Sequence, residues 1–98
     1  MLYVAVLKRE GPNTLVEFPD CPGCQTFGRT RARAIANARE ALEGWLETHL
    51  VAGDAPPQPG RPRGAQTRAR SAVKVPVSPI LAVRLQLRWA RLALGLTQ

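Results

Sequence analysis

The first eighteen residues fall into two short apolar runs. Leu2-Tyr-Val-Ala-Val-Leu7, ending at Lys8, is rich in β-forming residues. Thr14-Leu-Val-Glu-Phe18 follows with period-2 alternation, and Gly11-Pro-Asn13 between them is a turn. The two runs predict a hairpin. Its register decides whether Tyr3 or Ala5, and Leu15 or Phe18, face the core. Pro19, Pro22 and Gly23 then break the chain, and Cys24 to Gly28 can form a short third strand.

From Arg31 to about Ala52 the period changes to 3.6. Thr30 is a good N-cap, and Gly53 a good C′ residue. On the wheel Ile35, Ala38, Leu42, Trp45, Leu46 and Leu50 share one face, while Glu40, Glu43 and Glu47 share the other. This helix is expected to cover the sheet. Residues 54–72 hold four prolines, four arginines and no large apolar side chain, so they read as a mobile linker with polyproline tendency near Pro56–Pro59. Ala72 to Val77 is a short extended piece, and Pro76 suits a sheet edge or the approach to a helix. Ser78-Pro79 is an N-cap followed by an N1 proline, and it opens a second helix that Gly95 stops. That helix is apolar on two flanks, Leu81, Leu85, Trp89 and Leu92 on one, Val83, Leu87 and Leu94 on the other. Arg84, Arg88 and Arg91 form a basic stripe between them. A helix with two apolar flanks needs two partners. With only 98 residues, one small domain and an appendage, the chain is expected to self-associate as at least a dimer.

Charge sharpens the division into 1–53, 54–72 and 73–98. The net charge is +7, yet residues 1–54 carry six bases and all seven acids, and residues 55–98 carry eight bases and no acid. The second half is a cationic arm that suits a polyanionic or acidic partner. One function consistent with this is sequence-nonspecific nucleic-acid binding, although Trp89 is the arm's only aromatic and single-strand binders interleave several. No stretch is long enough to span a membrane, and Leu2–Leu7 lacks the basic leader of a signal peptide, so the cytoplasm is the expected location.

Candidate chemistry is sparse. Cys21 and Cys24 could form a redox pair or half of a zinc site. With His49 they are one ligand short of a closed structural site, and the following helix begins several residues too late for a thioredoxin-like motif. A tight Pro22-Gly23 turn flanked by packed thiols is the better reading. Asp20 is expected to fix that turn by bonding nearby amides, and His49, in the helix's last turn, has no acid–base partner. No metal, cofactor or catalytic residue is expected, and the chain does not read as an enzyme. Arg29, Arg31 and Arg33 crowd a helix N-terminus that is already positive; they read equally as an anion or acidic-partner contact and as solvated side chains.

Phe18-Pro-Asp-Cys-Pro-Gly-Cys24, with Thr30 and the helix after it, resembles the signature of the HicB family of bacterial antitoxins. That family commonly reads "FPDLPGC" before a helix rich in Ala, Glu and Leu. It often has Leu where Cys21 stands, which fits a packing role, and acids where Arg29, Arg31 and Arg33 crowd the helix start. Phe18, Pro19, Asp20, Pro22 and Gly23 are the turn-motif residues carried over. The resemblance implies an α+β fold: a three- to four-stranded antiparallel sheet covered by one long helix, a partial ribonuclease-H-like core without catalytic carboxylates, followed by a linker and a C-terminal helix. It implies a non-catalytic antitoxin that binds and occludes HicA, an RNA-cleaving toxin, and represses its own operon. Leu85 to Gln98, ending Gly-Leu-Thr-Gln, resembles the opening of an Xre-type helix-turn-helix, and Val75 to Ala82 resembles the approach to one. Gln98 comes before any recognition helix, so the extension is expected to be incomplete. Its DNA contact, through Arg84, Arg88 and Arg91, is then expected to be weak and insensitive to sequence.

Overall fold

A computed structural model describes residues 1–60 and 72–95. Three strands open the chain: β1 (Leu2–Glu10), β2 (Asn13–Glu17) and β3 (Gln25–Gly28). A long helix α1 (Arg31–Val51) follows, then an edge strand β4 (Ala72–Pro76) and a second helix α2 (Pro79–Ala93). The sheet is antiparallel throughout, in the order β3-β2-β1-β4.

The β1–β2 hairpin turns through Gly11 and Pro12, with Glu10 opposite Asn13. Gly11 has φ +56, and proline holds φ near −65°; these signs suit the two-residue II′ turn that matches strand twist. Asn13 therefore belongs to β2 and not to the turn. The register places Leu7 beside Val16 and Tyr3 beside Val75. One face of the sheet thus presents Tyr3, Ala5, Leu7, Val16, Phe18 and Val75, all buried, to the helices.

Thr30 caps α1 as expected: its Oγ1 accepts from the Arg33 amide at 3.0 Å. At the other end Asp54 N–H donates to the His49 carbonyl and Gly53 N–H to the Leu50 carbonyl, with Gly53 at φ +88. This paired pattern is a Schellman motif, which needs a glycine in the left-handed region. The buried row of α1 is Ala34, Ala38, Leu42, Leu46 and Leu50. Ile35 and Trp45, expected in the core, are only half-buried, and Ala34 takes the buried place. The cause is the close approach of β3. A Cβ on Gly28 would lie 2.5 Å from the Ala34 amide nitrogen, so the helix start rests on the strand end through its smallest residues.

β4 is one of the sheet's two edge strands and pairs with β1 from Leu2↔Pro76 to Val6↔Ala72. Proline is tolerated at such an edge. Leu81 and Leu85 of α2 enter the same core as Tyr3, Leu42 and Leu46. Ser78 precedes α2 at its N-cap, but its side chain makes no capping bond. Its amide instead donates to Glu43 Oε2 at 2.8 Å, which draws Glu43 off the polar face of α1 and ties the two helix systems together.

Candidate functional site

The Phe18–Cys24 turn is closed by its own backbone. The Cys21 amide donates to the Phe18 carbonyl at 3.0 Å, Cys24 to Cys21 at 2.9 Å, and Phe18 to Cys24 at 3.2 Å, while Gly23 takes φ +86. Phe18, Cys21 and Cys24 point into the core; Pro19, Pro22 and Gly23 are exposed. Burial pushes the Cys24 thiol up to about 11. Burial, then the neighbouring Cys24 and Asp20, pushes Cys21 up to about 12. Both thiols therefore keep their protons at neutral pH, whereas nucleophilic and metal-binding cysteines act as thiolates.

Asp20 does not brace this turn. The Phe18, Cys21 and Cys24 amides bond within the turn, and Asp20 Oδ2 accepts instead from the Gly60 amide at 2.9 Å, forty residues away. That bond anchors one end of a strap, residues 54–60, which sequence alone assigns to a linker. Arg88 donates to the carbonyls of Asp54 (2.8 Å) and Leu50 (3.3 Å), Trp89 Nε1 to Pro56 (2.7 Å), and the Tyr3 hydroxyl to Pro57 (2.7 Å). Pro56 is fully buried. The remaining linker positions, Arg61 to Ser71, lie outside the described residues, as do Leu96–Gln98 at the end of the helix-turn-helix resemblance.

The structure does not gather the arginines named above into one patch. Arg29, Arg31 and Arg33 are exposed around the start of α1. Arg84 meets Glu47 at 3.1 Å, and Arg88 sits on the carbonyls ending α1, favourable for its dipole. The two groups are separated by most of a 21-residue helix, about 20–30 Å at about 1.5 Å per residue. Arg91 is exposed. His49 stacks on Trp45 with ring centroids 3.9 Å apart, and its Nδ1 is 2.8 Å from the Trp45 carbonyl, so that nitrogen serves as a donor within the helix.

A further surface emerges from the register. The sheet face away from the helices carries Leu2, Val4, Val6, Leu15 and Phe27. Lys8, Leu15 and Phe27 stand in one cross-strand row, Val6, Glu17 and Gln25 in the next. Phe27 is 56% exposed and Leu2 46%. An antiparallel sheet with one solvated face ordinarily turns polar residues outward. The signal was present in Leu2–Leu7, which is apolar at both odd and even positions, but without the register neither set could be assigned to a face.

The sequence model of the HicB-like antitoxins of bacterial toxin–antitoxin systems matches residues 3–81. The chain belongs to this family. It is 39% identical over 51 residues to an uncharacterized 14.9 kDa protein of Haemophilus phage HP1, and 36% identical over 45 residues to a UPF0150 protein of Thermoplasma acidophilum. These matches take in 48% and 46% of this chain, and 38% and 65% of the relatives' lengths. Among solved structures, the N-terminal domain of the Burkholderia pseudomallei antitoxin HicB superposes with TM-score 0.65 at 24% identity, covering 80% of this chain and 99% of that one. The B. pseudomallei HicB antitoxin aligns with all of this chain and 89% of its own, at TM-score 0.66 and 22% identity. A chain of the HicA3 and HicB3 toxin–antitoxin complex matches at TM-score 0.64 and 24% identity, over 81% of this HicB-like chain and 100% of that one. These likenesses establish the α+β fold. Among the described residues, no helix is long and apolar enough to cross a membrane.

Proposed function

We propose that this HicB-like chain is a non-catalytic antitoxin that binds a HicA-like, RNA-cleaving toxin and blocks it by occlusion. It would act in the cytoplasm, where such a toxin finds its RNA, as at least a dimer. The observation that carries the reading is the apolar strip on the sheet face away from the helices, with Phe27 at 56% exposure beside Leu15. An exposed aromatic on a rigid strand is the kind of side chain that anchors a protein interface. The residues of a type that does chemistry are committed elsewhere: the two thiols are buried and protonated, and His49 is bonded within its helix. The alternative, a nucleic-acid-binding module, loses Arg84 and Arg88 to bonds inside the chain. Any operator contact would then fall to Arg29, Arg31, Arg33, Arg91 and the basic residues of 61–70, and would be weak.

The test pairs the chain with a HicA-like toxin and reads RNA cleavage and affinity. Stoichiometric suppression of cleavage is expected. Phe27→Asp should weaken toxin binding about thirtyfold or more, the loss of a hot-spot aromatic worth about 2 kcal/mol. Because Phe27 is largely exposed, the variant should keep its fold by circular dichroism. Undiminished affinity would move the toxin to another face; unsuppressed cleavage by the unaltered chain would end the antitoxin reading.

A further inference from the structure

The second apolar flank of α2 has a stricter pattern than amphipathicity requires. Ile80, Val83, Leu87, Ala90 and Leu94 recur at intervals of three, four, three and four residues. All five are exposed: Ile80 78%, Val83 54%, Leu87 56% and Leu94 74%, with Ala90 also at the surface. The three–four alternation is the seam of a two-stranded coiled coil, in which Ile80, Leu87 and Leu94 take one core position and Val83 and Ala90 the other. Leu81 and Leu85, which bury α2 in its own domain, lie on the opposite side of the helix. The seam therefore faces away from the body of the molecule, and nothing among the described residues covers it.

We infer that this seam pairs with α2 of a second copy, side by side and parallel, about a two-fold axis. This rests on the dimer reading above and names its surface and direction. Charge selects the occupant. Arg84 and Arg91 flank the seam on one side and Gln86 on the other. Arg84 already meets Glu47 of its own chain, and Arg88 the carbonyls of Leu50 and Asp54, so an acidic helix would find little beyond Arg91 to answer it. A second copy needs no opposite charge. Charge also selects the direction. In a parallel pair, Gln86 lies opposite Arg91 of the other copy; in an antiparallel pair, Arg84 would face Arg91, like against like. Like residues then stack in layers, Ile80 on Ile80 and Leu87 on Leu87, and Ala90 lets the helices approach closely. Two heptads make a small seam, so the dimer is expected to be weak and concentration-dependent.

Sedimentation equilibrium of the full chain across about 5–500 μM should show reversible dimerisation in the micromolar range. Leu87→Glu, which would bring two carboxylates into the seam, should weaken it about a hundredfold or more while circular dichroism is unchanged. Ile80→Cys should cross-link to itself under mild oxidation, the native thiols being buried. A monomer throughout would overturn both the dimer and its seam. A dimer indifferent to Leu87→Glu would overturn the seam alone. Selective joining of Ile80→Cys to Leu94→Cys in a mixture would overturn the parallel arrangement.

Discussion

The strap over residues 54–60 should come away as a unit, and a double-mutant cycle can measure this. Tyr3 is fully buried, and its hydroxyl donates to the Pro57 carbonyl at 2.7 Å. Tyr3→Phe removes that donor and opens no cavity. A neutral intramolecular hydrogen bond contributes about 1 kcal/mol net. Pro57 is only half-buried, so its carbonyl can turn to water, and the expected cost stays near that figure. Trp89→Phe removes the second donor, on Pro56, together with part of a half-buried ring, and should cost about 2 kcal/mol. The two bonded carbonyls belong to adjacent residues. If loss of either bond frees the strap, the other is already weakened, and the double variant should cost less than the sum by about 0.5–1 kcal/mol. Urea unfolding of the four proteins at one fixed concentration supplies the cycle, since any dimerisation would otherwise shift the midpoints. Additivity within about 0.3 kcal/mol, together with a Tyr3→Phe cost below that size, would mean that the strap does not bear on stability and that the two bonds are incidental.

Gly28→Ala should destabilise by about 3 kcal/mol, at the upper end for overpacking, because the added methyl meets backbone of Arg33 and Ala34 and not a flexible side chain; a neutral outcome in chemical denaturation would mean that α1 is not seated on β3. Alkaline pH should unfold the protein. The folded pKa values of Cys21, Cys24 and Tyr3 lie above their unfolded ones, so the stabilisation is complete below about pH 9 and is lost as pH rises through 9 to 12, the two thiols each adding a slope of about 1.4 kcal/mol per pH unit where only the unfolded form has lost its proton. In Cys21→Ala/Cys24→Ala the part of this slope that begins near pH 9 should vanish; an unchanged profile of stability against pH would refute the assignment. DNA binding by the chain should be insensitive to sequence and lost on raising salt from about 50 to 200 mM, and a hundredfold preference for operator over scrambled DNA in a binding assay would reveal a reader built from other residues.

The hairpin, the long helix with both its caps, and the closing glycines were legible because they rest on local rules. Thr30, Gly53 and Gly95 act within one turn of themselves. The breadth of α1's buried stripe was less so. Its wheel admits Ile35 and Trp45 as readily as Ala34, and the choice was made by Gly28, a residue outside the helix. The strap was not legible at all. Its bonds are accepted by main-chain carbonyls of Asp54, Pro56 and Pro57, which any sequence possesses, from donors as far away as Tyr3. Composition marked the segment as polar, proline-rich and linker-like; what composition lacks is the address of its partners. The same holds for Asp20, whose residue type predicted an acceptor but whose donor, Gly60, stands on another segment.

The division of charge along the chain also changes meaning once the fold is known. An acid-free second half first suggests an external anion. Yet three acids of the first half already reach into it: Asp20 holds the Gly60 amide, Glu43 the Ser78 amide at the head of α2, and Glu47 meets Arg84 one turn further on. The Arg84–Glu47 pair is about half exposed on both sides and adds little stability. Arg88, on the carbonyls at the end of α1, adds more to orientation, because its two donors fix where α2 crosses. Two of the arm's eight bases, Arg84 and Arg88, therefore position α2 on its own domain. Beside the exposed bases, the described surface also presents apolar side chains, Leu2 and Phe27 on the sheet and Ile80, Val83, Leu87 and Leu94 on and just after α2. The two surfaces lie on opposite sides of a packed layer, so a toxin on the sheet face and a second copy on α2 would not compete. A complex built this way would be held by shape and apolar burial, and should tolerate salt that strips the chain from DNA.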